Sequence, residues 1–343
     1  MKSIFSKKIS ISYISAIATI VITCFSTFLV SSFFFKETNI KDLDVSDGTN
    51  LCNYKVKRLD GYSFIKPLMF VDEECEGDNL AQIKHEINTI IQKHKSMSNV
   101  ISTSVYLRDY NNGDWMTIND DLQYEPGSLF KVPILIAYLK MSEDIPGLLD
   151  QELLFHTPFD IGKNVAFQSK NIQLGHKYKI RELLKYMIAY SDNNATAILN
   201  NNLKPEILTK LFLDLNLEVP NPKAKHYYFT PKNYSLFMRA IYNASYLSDE
   251  NSEFAAELLG KCNFKEGILS GLPKDIKIAH KFGESGTNQE RQLHESAIVY
   301  LRNKPYLLTI MTKGKDNTSL TNIISEISTA VYNNMLNQAE EVF

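Results

Sequence analysis

The chain has 343 residues, 44% of them hydrophobic, so it can bury one large core or two modest cores. Its 37 Lys and Arg side chains are balanced by 39 Asp and Glu, which gives a net charge of −2. Nucleic-acid binding depends on a basic surface, so this balance excludes nucleic acid as an expected partner.

The N-terminus predicts a membrane anchor. Residues 1–8 are basic, and residues 9–35 carry no charged side chain. A run of this length can cross a bilayer as a helix, which needs ~20 residues. The alternative is a secretory signal, whose apolar region spans only ~7–15 residues before a small-residue cleavage site. The lysines in residues 1–8 predict that this end is cytoplasmic and that the rest of the chain lies outside the cell membrane.

Four cysteines do not define a disulfide framework. Cys24 falls in the predicted anchor, and Cys262 stands alone. Cys52 and Cys75 can pair outside the cytoplasm, and two free thiols are the alternative. No Cys or His residues have metal-ligand spacing, so neither a metal nor another cofactor is expected.

Residues 36–78 form a predicted spacer, whose apolar stretch at 62–71 is expected to dock on the folded body. Apolar residues at helical spacing from Leu80 to Ile91 predict a first helix, and alternation predicts strands at 100–108 and 114–118. Helical patterns follow near 129–141, 180–189, 192–201, 205–215, 231–243 and 249–260. Strand patterns return at 276–283, 295–302 and 304–311, and a helix from about 318 to 338 closes the chain.

This order predicts an α/β (α+β) fold with two lobes. An antiparallel sheet is built from both ends of the sequence and flanked by the terminal helices. An all-helical lobe is inserted between its strands. We expect a cleft between the lobes.

The run Ser128-Leu129-Phe130-Lys131 opens an apolar helix. Positions i and i+3 share a helix face, so the Lys131 amine is expected within hydrogen-bond reach of the Ser128 hydroxyl. A serine needs a neighbouring base to become a good nucleophile, and burial lowers the pKa of a lysine towards that role.

Two further motifs follow in order, Ser191-Asp192-Asn193 and Lys281-Phe282-Gly283. An ordered Ser-x-x-Lys, Ser-Asp-Asn and Lys-(Thr/Ser)-Gly set marks the penicillin-interacting serine hydrolases. The chain therefore resembles class A β-lactamase-like and penicillin-binding-protein-like enzymes over residues 79–343. By itself, Ser191-Asp192-Asn193 is equally typical of a helix cap.

The resemblance implies a role for each motif residue. Ser128 attacks an amide or lactam carbonyl and forms an acyl-enzyme, and Lys131 takes its proton. Ser191 passes a proton to the leaving nitrogen with help from Lys281. Asn193 holds the amide side chain of the substrate.

The resemblance also places an oxyanion hole at the backbone N–H groups of Ser128 and Glu284. Gly283 is expected to let a substrate strand approach β-sheet backbone closely. Two departures affect the substrate site: Phe282 replaces the usual hydroxyl residue, and Glu284 adds a negative charge where a substrate carboxylate is expected.

Class A β-lactamases activate the deacylating water with a glutamate followed four residues later by asparagine. Here Glu206 is followed by Lys210 at that spacing, and Glu218 by Pro222. Glu218 as an unconventional base stays an alternative. The sequence predicts a serine hydrolase acting on a β-lactam or a peptidoglycan-type amide. The alternatives are a D-alanyl-D-alanine peptidase or transpeptidase with slow deacylation, and a non-catalytic sensor of wall fragments or β-lactams.

Overall fold

The computed structural model describes residues 52–97, 99–158, 166–167, 170–220, 227–287, 289–302 and 304–340. The predicted cytoplasmic end and anchor lie outside these residues. Within the described part of the chain, no helix combines the length and apolarity needed to cross a bilayer.

The strands and the helices are numbered separately, each in chain order. The strands are β1 (Tyr54–Arg58), β2 (Leu68–Glu73), β3 (Val100–Asp109), β4 (Trp115–Ile118), β5 (Glu152–Leu154), β6 (Lys177–Lys179), β7 (Ile278–Gly286), β8 (Arg291–Val299) and β9 (Tyr306–Gly314). The helices are α1 (Ala81–Ser96), α2 (Lys131–Asp144), α3 (Ile180–Ala189), α4 (Asn193–Asn202), α5 (Pro205–Asp214), α6 (Pro231–Tyr242), α7 (Asp249–Leu259) and α8 (Asn317–Glu340).

One five-stranded antiparallel sheet, in the order β4-β3-β9-β8-β7, organises the fold. Its two faces bury separate cores because side chains alternate across a strand. Leu308 and Ile310 pack with the terminal helices α1 and α8, whereas Leu307 and Met311 pack with the helices between β4 and β7. The α/β fold with an inserted helical lobe, expected from the sequence, is the fold observed.

The late strands differ from the sequence prediction at their ends. The pattern at 295–302 corresponds to β8, which begins at Arg291, and the pattern at 304–311 to β9, which ends at Gly314. β8 pairs with β7 from Gly286↔Arg291 to Ile278↔Val299. Pairing with neighbouring strands, rather than local alternation of apolar residues, sets these ends.

The predicted spacer contains a hairpin, β1–β2, closed by a disulfide between Cys52 and Cys75. Met69 and Phe70 of β2 are buried against the larger core. Asp72 forms ion pairs with Arg108 and Arg239, at 2.8 and 2.6 Å. These contacts join the hairpin to the body of the protein.

Candidate active site

Ser128 lies in a single 3₁₀ turn, Gly127–Phe130, directly before α2. Gly127 has a φ of +52°, and a Cβ there would lie 2.2 Å from the backbone oxygen of Glu284. Only glycine therefore allows the turn to sit this close to β7. The close contact between the backbones of Gly127 and Glu284 therefore helps to position Ser128.

Lys131, the first residue of α2, has a side chain with only 4% of its surface exposed. Its Nζ donates to Ser191 O at 2.6 Å, to Asn193 Oδ1 at 2.7 Å and to Ser191 Oγ at 3.1 Å. Among these contacts there is no hydrogen bond to the Ser128 hydroxyl, so that expectation is wrong for this structure. The amine is drawn instead to acceptors of the Ser-Asp-Asn segment.

Ser191 occupies the short connection between α3 and α4, with a φ of +55° that is rare for serine. The next residue, Asp192, is the N-cap of α4 and accepts hydrogen bonds from the backbone of Asn194 and Ala195. Its other oxygen accepts from Ile172 N at 2.6 Å. The segment is thus a helix cap, which confirms that interpretation, and its Ser191 and Asn193 accept hydrogen bonds from Lys131, while their catalytic role stays a prediction.

Lys281 approaches the same hydroxyl from the sheet. Its fully buried Nζ donates to Ser191 Oγ and to Phe282 O, each at 3.1 Å. Burial lowers the pKa of Lys281 to about 8. Burial, with repulsion from Lys281 as a second cause, lowers the pKa of Lys131 well below its ordinary value. The Ser191 hydroxyl therefore lies between two amines that lose their protons unusually easily.

A cavity of about 320 Å³ opens in front of this cluster. Ser128, Lys131, Asn193 and Glu284 line it, with Ser191 and Lys281 buried behind. The full lining is Gly127, Ser128, Phe130, Lys131, Ile134, Asn193, Thr196 and Glu284. Six of the eight residues assigned to the site from sequence are therefore grouped around one cavity.

Glu284 is half-buried at this cavity. Its Oε1 accepts a hydrogen bond from Phe167 N at 3.3 Å. Burial raises the pKa of Glu284, although backbone hydrogen bonds from Phe167 and Ala166 and the charges of Arg291 and Lys281 oppose the rise. A carboxylate in this place disfavours an anionic substrate group.

Phe282 and Gly283 do not face the cavity, which corrects their assignment to the substrate site. Phe282 is 1% exposed and stacks on Phe264 with ring centroids 4.4 Å apart. A Cβ on Gly283 would lie 2.2 Å from Pro126 O and 2.7 Å from Leu129 N. Gly283 therefore lies directly against the turn that carries Ser128. Side chains alternate across β7, and Gly283 is on the side of the strand that faces this turn.

The sequence reasoning missed Thr196 and Ile134 as cavity walls. Thr196 follows Asn193 by three residues, and Ile134 follows Lys131 by three. Residues at this spacing share a helix face, so the sequence could have predicted both as neighbours of the motif residues. Glu206 and Glu218 are exposed, and neither lines the cavity. Glu218 therefore does not lie at the cavity, where a base for the deacylating water is needed.

Comparison with known proteins agrees with this arrangement. The model of the beta-lactamase enzyme family matches residues 82–335. The chain belongs to this family. Within the family it is 24% identical over 251 residues to beta-lactamase VEB-1 of Pseudomonas aeruginosa, covering 66% of this chain and 83% of that protein. It is also 24% identical over 176 residues to a beta-lactamase of Phocaeicola vulgatus, covering 45% of this chain and 55% of that protein.

Solved structures of the family share the fold. A beta-lactamase from Chitinophaga pinensis superposes with a TM-score of 0.64 at 20% identity, covering 74% of this chain and 98% of that one. A mutant of PBP-A, solved as an acyl-enzyme complex with penicillin G, gives a TM-score of 0.62 at 21% identity, covering 76% and 97%. At these identities the likeness concerns the fold, and the chemistry has to be argued from the site.

Proposed function

We propose that the protein is an extracytoplasmic serine hydrolase in which Ser128 is acylated by a β-lactam or a peptidoglycan-type amide. One observation carries the proposal: two buried amines, Lys131 and Lys281, contact one hydroxyl, Ser191, directly behind the cavity that Ser128 lines. Buried lysines with lowered pKa values are costly for stability and are typical of catalytic sites.

The pKa shifts favour different roles for the two lysines. Burial and repulsion from Lys281 lower the pKa of Lys131 well below its ordinary value, so we assign Lys131 as the proton acceptor, and Lys281, with a pKa of about 8, as the proton donor. Once Lys131 has lost its proton, its lone pair can accept a hydrogen bond from the Ser191 hydroxyl, which still accepts from the Lys281 ammonium. Two N–H bonds of Lys131 remain directed at Ser191 O and Asn193 Oδ1.

In this state Lys131 is the base for Ser128. As the Ser128 Oγ–carbon bond forms, the hydroxyl proton moves to the Lys131 amine, which shifts from its Ser191 contact towards Ser128. Such catalytic hydrogen bonds are often formed only once substrate is bound. Cleavage of the carbon–nitrogen bond then draws a proton from Ser191 to the leaving nitrogen, and Lys281 replaces that proton.

Two further groups support acyl transfer. Gly127 brings the backbone of Glu284 against the Ser128 turn, so their two N–H groups are the proposed oxyanion donors, worth a few kcal/mol together. The amide oxygen of Asn193 is held by Lys131, which leaves its Nδ2 to donate to a substrate carbonyl.

Slow deacylation is favoured over rapid turnover. Among the described residues lining the cavity, Glu284 is the only carboxylate, and it accepts a hydrogen bond from Phe167. Water attack on the acyl-enzyme therefore lacks a dedicated base. This observation favours the peptidase- or transpeptidase-like alternative, which stalls on penicillins, over a fast β-lactamase.

An extracytoplasmic location is supported by the disulfide between Cys52 and Cys75, since structural disulfides persist in oxidising compartments. The uncharged run at 9–35 after a basic end supports a single-pass anchor in the cell membrane.

Intact-protein mass spectrometry after exposure to penicillins and activated esters tests the proposal. We expect a persistent acyl adduct on the wild type and none on Ser128→Ala. Nitrocefin is expected to give a single burst of product, whereas a sustained rapid rate would show that deacylation is efficient. An equal adduct on Ser128→Ala, or no adduct with any reagent, would refute the acyl-enzyme.

A further inference from the structure

A second cavity, of about 520 Å³, adjoins the one that Ser128 lines. The two cavities share four wall residues, Phe130, Ile134, Asn193 and Thr196. The second extends away from the nucleophile between α4, α5 and the segment around Val219. Its volume lies in the range of ~300–1,000 Å³ that is usual for small-molecule sites.

The walls of the second cavity are mainly apolar. Leu208 of α5, Val219 and Tyr227 form much of its far side, and Tyr227 stacks on Phe130 with ring centroids 5.5 Å apart. Of the described residues that line it, none is charged. Water finds few hydrogen-bond partners in such a space, whereas the transfer of an apolar group from water into it is favourable.

Two of the polar residues of this second cavity lie at the junction with the first, whereas Asn200 and Thr209 line the second cavity alone. Asn193 and Thr196 belong to both, and Asn193 is oriented by its hydrogen bond from Lys131. A substrate carbonyl at Ser128 can therefore have polar atoms beside Asn193 while its acyl chain continues past Ile134. Ser191, the proposed proton donor to the leaving nitrogen, does not line the second cavity, so we assign this cavity to the acyl side of the substrate.

We propose that the second cavity is an acyl-chain site, which takes an unbranched alkyl or aryl acyl group of an uncharged acyl donor. The proposal rests on the proposed function, because it assigns the substrate class of the same nucleophile. Glu284 at the first cavity disfavours a carboxylate near the scissile bond, and none of the described residues that line the second cavity offers a cation to a carboxylate there. The acyl group contributes affinity through its apolar surface alone.

A series of p-nitrophenyl esters, from acetate through butanoate and hexanoate to octanoate, tests this inference. Each buried methylene is expected to raise kcat/KM for Ser128 acylation about three- to fourfold until the cavity is filled. The p-nitrophenyl monoester of adipic acid, which has the chain length of hexanoate but ends in a carboxylate, is expected to react no faster than the acetate ester. The Ser128→Ala variant supplies the background rate for every ester.

Ala197 on α4 lines the second cavity but not the first, so Ala197→Phe fills the acyl-chain site without touching the nucleophile's own cavity. We expect it to remove the advantage of octanoate over acetate, measured as the ratio of the two kcat/KM values within the same variant. Asn201→Phe is the matched control, because Asn201 is exposed on the same helix and does not line either cavity. It is expected to keep the chain-length dependence of the wild type.

The ester series on the wild type does not depend on any variant, so it decides the inference even if Ala197→Phe fails to fold. Acylation of Ser128 with rates independent of chain length would overturn the acyl-chain site and leave the proposed function standing. A chain-length dependence that survives in a folded Ala197→Phe protein would also overturn it. Failure of every ester and penicillin to acylate Ser128 would instead remove the proposed function, and this inference with it.

Discussion

Lys131 and Lys281 donate to the same oxygen, the hydroxyl of Ser191, each from 3.1 Å. Two ammonium groups this close repel each other, so the first proton lost from the pair is lost easily. The pair then titrates as a unit, with apparent pKa values that belong to both lysines. The rate of Ser128 acylation should consequently fall both at low pH and at high pH.

The first prediction concerns the alkaline side. Lys281 must be protonated to supply the leaving nitrogen, and its pKa is about 8, so acylation by a penicillin should slow as pH rises through that value. Lys281→Arg keeps a cation there at every accessible pH. It should lower the rate but remove the alkaline decline.

Rates of adduct formation measured from pH 6 to pH 10 by mass spectrometry check this prediction. Lys277→Arg, at an exposed position just before the same strand, is the control and should leave the profile unchanged. If Lys281→Arg kept the alkaline decline, the decline would be caused by deprotonation of another group.

The second prediction concerns the acidic side. Asn193→Asp places a carboxylate where Asn193 Oδ1 now lies, 2.7 Å from Lys131 Nζ. The nearby negative charge should raise the pKa of Lys131, so the rate of acylation should fall at low pH and recover only at a higher pH than in the wild type. Asn201→Asp makes the same charge change at an exposed site on α4. An unshifted acidic limb in Asn193→Asp would exclude Lys131 as the base.

The third prediction tests the contact between β7 and the Ser128 turn. Gly283→Ala puts a methyl group 2.2 Å from Pro126 O, so the turn must move. Acylation should fall at least about tenfold while the circular dichroism spectrum is retained, because a misplaced nucleophile loses its attack geometry. Gly260→Ala is the control: its methyl group would make ordinary contacts of 3.5 Å. Wild-type reactivity in Gly283→Ala would contradict the prediction.

The fourth prediction concerns a buried ion pair beneath the sheet. His280 Nδ1 lies 2.6 Å from Glu295 Oε1, and both side chains are almost fully buried. Burial lowers the pKa of His280, but the neighbouring Cys262 and Glu295 outweigh burial and raise it to about 10. His280→Leu should cost about 3–5 kcal/mol in the free energy of unfolding, because Glu295 keeps an unpaired buried charge.

Adding Glu295→Gln to His280→Leu should recover part of that loss. The amide is uncharged, and its oxygen can still accept the hydrogen bond from Ile268 N. Urea unfolding of the wild type, both single variants and the double variant measures the coupling. Simple additivity of the two changes would show that the charges do not interact.

Because the folded pKa of His280 is raised, its stabilising contribution should be complete below pH ~6.5 and be lost as pH rises through about 10.

The fifth prediction concerns the Cys52–Cys75 disulfide, which closes a loop with a sequence separation of 23 residues. Removing it should cost about 3.4 kcal/mol, the loop-closure value for that length. The ion pairs of Asp72 keep the hairpin on the body, so local loosening is expected before global unfolding. Reductant should lower the Tm of the wild type and leave the Cys52→Ser/Cys75→Ser variant unchanged. Equal sensitivity of both proteins would contradict a structural disulfide.

The sequence by itself determined the order of the helices and central strands, the three motifs and the resemblance to the family. These features are local: helical spacing, strand alternation and a nucleophile one turn from a lysine are written in neighbouring residues. The same local spacing also carried Thr196 and Ile134, which were overlooked.

Only the tertiary structure decided which groups meet. Lys131 contacts Ser191, 60 residues away along the chain, rather than its neighbour Ser128, and Lys281 reaches the same hydroxyl from 90 residues away. Gly283 faces the Ser128 turn, and Phe282 faces Phe264, because the pairing of β7 fixes which side of the strand each occupies. Contacts between distant segments depend on register and packing across the whole body, and no local pattern specifies them.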